Sequence, residues 1–192
     1  MPSLSAKIDG KKFMWDKFMY ASETEAKEKM AVYENEGFEA VFLGVGAHDS
    51  RKLGVEGEED TVGVLHGVDY LRRVLTGEEL DIGKNVVVVG GGNVAIDVAR
   101  TALRKGSDNV FILYRRTKEE MPASKAEIHH LEEEGVRVEM LAAPVKIHAQ
   151  DGKMTGVECI RMELKEFDRS GRKTPYPIEG SEYVVDTDMV IE

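Results

Sequence analysis

The run Asn85-Val86-Val87-Val88-Val89-Gly90-Gly91-Gly92-Asn93-Val94-Ala95 constrains this chain more than any other part of it. Four successive valines with no polar alternation predict a parallel strand buried on both faces. The strand runs into three glycines, and a helix is predicted from about Asn93 to Arg104. That helix would bury Ala95, Val98, Ala99 and Ala102, with Gly106 as its C-terminal stop. Gly90 to Ala95 fits G-x-G-x-x-G/A, and each position has a physical task. Gly90 permits the tight turn, Gly92 lets a pyrophosphate approach the backbone, and the small Ala95 lets helix and strand pack closely. The pyrophosphate would rest on the N–H groups at the helix start, where the dipole favours anions. Gly90, Gly91, Gly92, Asn93, Val94 and Ala95 are therefore candidate dinucleotide contacts. A glycine-rich turn after a strand also occurs for structural reasons alone, and it is the flanking strand and helix that favour nucleotide binding.

The alternation then repeats. Val110 to Tyr114 reads as a second strand. Pro122 suits the first turn of a further helix that turns Ile128 and Leu131 inward and ends at Gly135. Val136 to Met140 reads as a third strand. The predicted fold is α/β, a Rossmann-like parallel sheet with flanking helices and right-handed crossovers. After Pro144 the pattern changes. Val145 to Ala149, Met154 to Leu164 and Glu182 to Val185, with turns at Asp151-Gly152 and Asp168 to Gly171, predict an antiparallel β-meander.

Upstream, Ser22 to Glu25 forms a capping box for a helix carrying Ala26, Met30 and Tyr33 as far as Gly37. Glu39 to Gly44 reads as a short buried strand, and the polar, glycine-containing stretch His48 to Val62 as a linker. A helix over Val68 to Leu75 would set Val68, Leu71 and Leu75 on one face. Asp188 to Ile191 begins another apolar strand as the chain stops, the pattern expected of a fragment from a larger protein.

The end of the second strand chooses between cofactors. An acid there accepts hydrogen bonds from the ribose 2′-hydroxyl of NAD. Here the strand ends Tyr114-Arg115-Arg116, with no acid before Glu119. Arginine offers a planar donor fork to a 2′-phosphate and stacks on adenine. Arg115 and Arg116 thus favour NADP(H) over NAD(H), and count against S-adenosylmethionine; the bland alternative is a solvated arginine pair.

The remaining residues are less pointed. Asp97 fits equally as a helix cap or as a residue facing a flavin domain, and Lys125 reads as a solvated helix residue. His129 and His130 are adjacent, hence on different faces, and lack the i, i+4 spacing of a helical metal pair. His48, His66 and His148 have no metal-like spacing, so no metal ligand and no catalytic residue is assigned. Cys159, the single cysteine, reads as a small core residue and cannot alone build a disulfide or an iron–sulfur cluster. With 42% apolar residues the chain can bury a core. It has no apolar stretch long enough for a membrane span and no secretion signal, so cytoplasm is the expected location. A net charge of −10 repels phosphate backbones and argues against nucleic acid and anionic membranes as partners.

Three segments together resemble the NADPH-dependent glutamate synthase small (beta) subunit family: Gly90 to Ala102, Tyr114-Arg115-Arg116, and Glu119-Glu120-Met121-Pro122-Ala123. That family is related to the N-terminal half of dihydropyrimidine dehydrogenase. The resemblance runs from about Glu39 to Glu192 and includes Phe42 to Ala47, where Gly44-Val45 replaces the family's Ala-Thr, and Gly156 to Leu164. It implies an FAD domain split in sequence with the NAD(P) domain inserted. Residues 1–47 would then be a partial FAD-side segment, 48–62 a hinge, 63–187 the NAD(P)-binding domain and 188–192 the start of a return strand. Met1 to Lys17 matches least. The family's FAD motifs and N-terminal cysteine clusters are absent from this chain. The resemblance therefore implies FAD only in the full-length protein, and partners in a missing FAD domain and an iron–sulfur domain or subunit. The competing reading is an autonomous NAD(P)-binding regulatory module. Neither the final electron acceptor nor the oligomeric state is legible.

Overall fold

The computed structural model describes residues 4–8, 11–15, 27, 28, 31–33, 35, 36 and 52–192. The chain divides into two compact units, Met1–Gly46 and Ala47–Glu192. In the first, β1 (Leu4–Ile8) pairs antiparallel with β2 (Lys11–Trp15), from Leu4 opposite Trp15 to Ile8 opposite Lys11. Residues 27, 28, 31–33 and 35 are helical. The expected capping box at Ser22 to Glu25, the helix position Met30 and the strand over Glu39 to Gly44 lie outside the described residues.

The second unit is built on a five-stranded sheet in the order β3-β11-β4-β5-β6, parallel throughout: β3 (Val64–Leu65), β4 (Asn85–Val89), β5 (Asn109–Tyr114), β6 (Arg137–Met140) and β11 (Met189–Ile191). The unalternating valines of β4 have the expected cause. Val86 and Val88 face the helices α1 (Gly67–Leu75), α2 (Asn93–Arg104) and α3 (Lys125–Glu133), while Val87 faces the other way. All three valines are essentially inaccessible, and each contributes roughly 1.5–3 kcal/mol by burial. Polar substitution on either face is therefore excluded, so a period-2 pattern cannot arise.

The helix-side core joins Tyr70, Ile96, Val98, Ala99, Ile112, Leu131 and Ile191. The opposite core joins Val87, Leu113 and Val190 to Ile147, Met154, Val157 and Cys159 of an antiparallel sheet. That sheet has the order β10-β8-β7: β7 (Ala142–Gln150), β8 (Lys153–Phe167) and β10 (Tyr183–Asp186), with β9 (Lys173–Pro177) paired to the far part of β8. Helices, parallel sheet and antiparallel sheet thus form three layers, the fold class read from the sequence. Among the described residues no helix is long and apolar enough to cross a membrane.

Several details differ from expectation. Pro122 precedes α3 rather than opening it; Ser124 is the cap, its Oγ accepting from Glu127 N at 3.2 Å. A 3-10 turn over Lys118–Glu120 fills the space before it. In α1 the inward residues are Tyr70, Leu71 and Val74, whereas Leu75 is 71% exposed. Of the stretch read as a linker, residues 52–62 are docked on the antiparallel sheet. Ile147 N donates to Glu56 O (2.8 Å), Val62 N to Gly152 O (2.8 Å) and Met154 N to Val62 O (3.1 Å). Leu53 and Val55 pack on the second core. The residues read as the start of a return strand do form a strand, β11, which is hydrogen-bonded on both sides within the parallel sheet. Its three buried side chains are what hold it there.

Candidate dinucleotide site

The chain leaves β4 towards β5 on one side, and β11 later returns to the other side of β4. Open α/β sheets bind ligands at such a reversal, outside the C-terminal ends of the strands. A cleft of about 180 Å³ lies there, lined by Gly67, Val89, Gly90, Gly92, Val94 and Glu192 among others. It is bounded by the ends of β4 and β11 and the starts of α1 and α2.

The three glycines meet different demands. Gly90 has φ +140°, a region that side chains rarely adopt. A Cβ on Gly91 would stand 2.5 Å from the ring of Tyr114. Gly92, the N-cap of α2, is extended, and a Cβ there would meet nothing nearer than Pro122 Cγ at 4.0 Å. The protein itself thus has room for a side chain at Gly92, and what the bare backbone leaves open is approach from outside. No side chain caps α2 and its first turn holds no acid, so the positive end of its dipole is uncompensated. The fit to a pyrophosphate is good.

Asn93 and Val94 are exposed and Ala95 is buried under the turn. The Asn93 amide does a second job. Its Oδ1 accepts from Ser124 N (3.1 Å), while Ala123 N donates to Gly91 O (3.2 Å), so the loop before α3 is tied to the glycine turn. Asp97 is exposed and caps nothing, and Lys125 is exposed at the start of α3. His129 and His130 are both exposed with their rings stacked (centroids 6.4 Å apart), rather than divided between two faces.

The two arginines are separated by the fold. Arg115 is exposed at the end of β5. Arg116 is 5% exposed and points into the protein, where Nε donates to Lys173 O (2.7 Å) and Nη2 to Asp168 Oδ2 (3.0 Å). Only Arg115 is available to a ligand from solvent; the pair does not act together. Asp168 also organises its own turn. Its Oδ1 accepts from Ser170 N (2.8 Å), Ser170 Oγ (2.5 Å) and Arg172 N (3.2 Å). These bonds, led by the Ser170 hydroxyl and with Arg116 adding to them, hold its carboxyl down at about 2.

A cluster with no local signature in the sequence lies at the same strand edge, beyond β3 and β11. His66 Nδ1 is 2.7 Å from Glu192 Oε1, whose side chain is 2% exposed. Burial pushes the Glu192 carboxyl up to about 7, with Glu58 adding to the shift and His66 opposing it. Glu58 is buried too, but it accepts from the backbone N–H groups of Leu53, Gly54 and Val55. Burial alone would raise its pKa, and those bonds together with the Glu192 carboxyl outweigh it and leave it lowered. His66 and Glu58 are 126 and 134 positions from Glu192 in sequence, and no periodicity links them.

Comparison with known proteins places the family and the fold. The NADPH-Fe(3+) oxidoreductase subunit beta of Geobacter sulfurreducens is 50% identical over 157 residues, covering 80% of this chain and 23% of that protein. The glutamate synthase [NADPH] small chain of Escherichia coli is 39% identical over 166 residues, covering 80% of this chain and 35% of that protein. This chain therefore spans between 23% and 35% of the length of these two relatives. Among solved structures, Mycobacterium tuberculosis FprA in complex with NADPH aligns with a TM-score of 0.65 at 20% identity, over 83% of this chain and 50% of that one. Thioredoxin reductase of T. acidophilum aligns with a TM-score of 0.53 at 23% identity, over 74% of this chain and 40% of that one. Those two likenesses concern the fold alone. Residues 8–191 match the pyridine nucleotide-disulphide oxidoreductase family, and the chain belongs to it.

Proposed function

We propose that this chain is the NADP(H)-binding module of a flavoprotein oxidoreductase and presents NADPH to an FAD carried by other parts of the full-length protein. One observation carries the reading: the bare, uncapped Gly92 end of α2 at the strand reversal, with the exposed Arg115 at the end of the next strand. The pyrophosphate would lie on the start of α2, the adenosine 2′-phosphate against Arg115, and the nicotinamide end towards β11 and β3. The flavin, when bound, would accept the hydride; this chain's share is to bind and orient the donor. Residues 1–47 would belong to the flavin side and 63–187 to the nucleotide side, with 48–62 between them. Residues 188–192 would close the sheet before the chain crosses back. Iron–sulfur centres in a further domain or subunit would take the electrons onward, in the cytoplasm.

The experiment is calorimetric titration of the chain with NADPH, NADH, FAD and S-adenosylmethionine. The reading expects NADPH to bind most tightly of the four. Tighter binding of FAD or S-adenosylmethionine would overturn it.

A further inference from the structure

We infer that the second cation of the cofactor's 2′-phosphate subsite comes from the β8–β9 turn and not from the arginine pair. This rests on the reading of the chain as an NADP(H)-binding module, and deepens it. Arg116 is taken out of contention by its own contacts, yet those same contacts tie the turn at Asp168 to Lys173 against the C-terminal end of β5, where Arg115 stands. The join is rigid on both sides. Leu141 N donates to Arg116 O (3.2 Å), and the turn is closed by Asp168 N to Arg172 O (2.7 Å) and Gly171 N to Asp168 O (3.0 Å).

The turn is basic and unspent. Arg73, Arg100, Arg104, Lys146 and Arg161 are all paired with carboxylates. Among the described residues Arg115, Arg169, Arg172 and Lys173 form no such ion pair, in a chain of net charge −10. Arg115 and Lys173 are both exposed, so an anion from solvent can reach either charge. Of the three on the turn, Lys173 is the one whose own backbone is tied to the end of β5. Its own carbonyl oxygen is the one that Arg116 holds, and it is exposed. The Glu119 carboxyl in the loop after β5 is held below its usual range, first by the Thr117 hydroxyl, with Lys118 and Lys173 adding a smaller attraction. Arg172 is partly engaged with Ser170 Oγ at 3.0 Å.

Lys173 is thus a specificity-determining residue, which with Arg115 forms a two-cation cradle for a ribose 2′-phosphate. Arg116 and Asp168 are positioning residues that bring the two cations together from distant parts of the sequence. Arg115 supplies the planar fork and Lys173 a compact charge. NAD(H), with a hydroxyl in place of the phosphate, gains far less from either charge.

The test is titration of the 192-residue chain, as wild type, Lys173→Gln and Lys173→Arg, with NADP⁺, NAD⁺ and adenosine 2′,5′-bisphosphate at one low ionic strength. Lys173→Gln is expected to weaken NADP⁺ and the bisphosphate by about three- to tenfold, as an exposed charge does. NAD⁺ should be unchanged, Lys173→Arg should restore the ratio, and added salt should shrink the difference. NADP⁺ binding by wild type with the same NADP⁺ to NAD⁺ ratio in Lys173→Gln would overturn this inference and leave the functional reading standing. Absence of binding by any of the three ligands would overturn both.

Discussion

Tyr114 occupies the space that a side chain on Gly91 would need: a Cβ there would lie 2.5 Å from Cε2 and 2.7 Å from Cδ2 of the ring. The ring cannot swing aside freely, because it is 6% exposed and its hydroxyl donates to Glu120 O at 2.7 Å. Gly91→Ala is therefore expected to destabilise the fold by about 1–3 kcal/mol, the usual cost of overpacking. Urea unfolding measures it. In Gly91→Ala/Tyr114→Leu the two costs should add to less than their sum, since the smaller side chain removes the clash. Full additivity would mean that the two residues do not meet.

Gly92 is expected to behave in the opposite way. Its backbone is extended and a Cβ would have open space, so Gly92→Ala should cost about 1 kcal/mol or less in stability. If a pyrophosphate approaches this backbone, the added methyl group blocks it, and NADPH affinity should fall by about tenfold or more. Thermal unfolding and titration on the same sample separate the two effects. A variant with unchanged affinity would remove Gly92 from the site.

The layered fold is legible in the sequence because its strongest signals are local. The valines of β4 cannot alternate when both faces are covered, and the glycine turn and the start of α2 come directly after them. The illegible parts depend on partners far away. Arg115 and Arg116 are chemically identical neighbours; alternation predicts that they diverge, and the strand-end position favours Arg115 for the site, but the partner that holds Arg116 inward, Asp168, lies 52 residues on. The strand β9 is masked by Pro175 and Pro177. Proline withholds a donor, and that is tolerated where a strand pairs on one side only, as β9 does with β8. Residues 52–62 read as a linker because their charges suggest solvent, yet Glu58 is buried by the turn it caps. The short β11 owes its place to burial against both cores, which no three-residue pattern encodes.

Burial of Glu192 makes a prediction about pH. Its folded pKa is raised from 4.5 to about 7. The folded state thus holds the proton more tightly than the unfolded chain, and the contribution to stability is fully present below about 4.5. It is lost as pH rises from there through 7. Glu192→Gln, which stays neutral, should flatten the pH dependence of the unfolding midpoint in that window. Asp168 contributes with the opposite sign. Its pKa is lowered from 3.8 to about 2, so its contribution is present above about 4 and lost as pH falls through 2. The two windows do not overlap, and a pH series in wild type, Glu192→Gln and Asp168→Asn resolves them. An unchanged slope between pH 4.5 and 7 in Glu192→Gln would show that its carboxyl is ionised normally.

Cys159 is expected to be inert in the folded protein. It is fully buried in the core between the two sheets, and burial pushes its thiol up to about 12. The thiolate is the reactive form. A maleimide should label it only under denaturing conditions, and rapid labelling of the native chain would show that the antiparallel sheet opens.

The sharpest contrast is between the adjacent arginines. Arg116→Ala removes a charged hydrogen bond to the Lys173 carbonyl and leaves that acceptor, together with Asp168, facing a hole. A lost charged hydrogen bond costs about 1.5–3 kcal/mol, so this variant should unfold at clearly lower denaturant. Arg115→Ala touches only an exposed side chain with no ion pair, so stability should change by less than about 0.5 kcal/mol. Ligand affinity should divide the two variants differently. Loss of the Arg115 contact to a 2′-phosphate should weaken NADPH by about 10- to 100-fold while NADH falls far less. Arg116→Ala frees the Asp168–Lys173 turn and should lower NADPH preference more mildly, through displacement of Lys173. Dissociation constants for NADPH and NADH, with urea midpoints for wild type and both variants, complete the test. If Arg115→Ala leaves the NADPH to NADH ratio unchanged, Arg115 is merely solvated and takes no part in any preference for NADP(H).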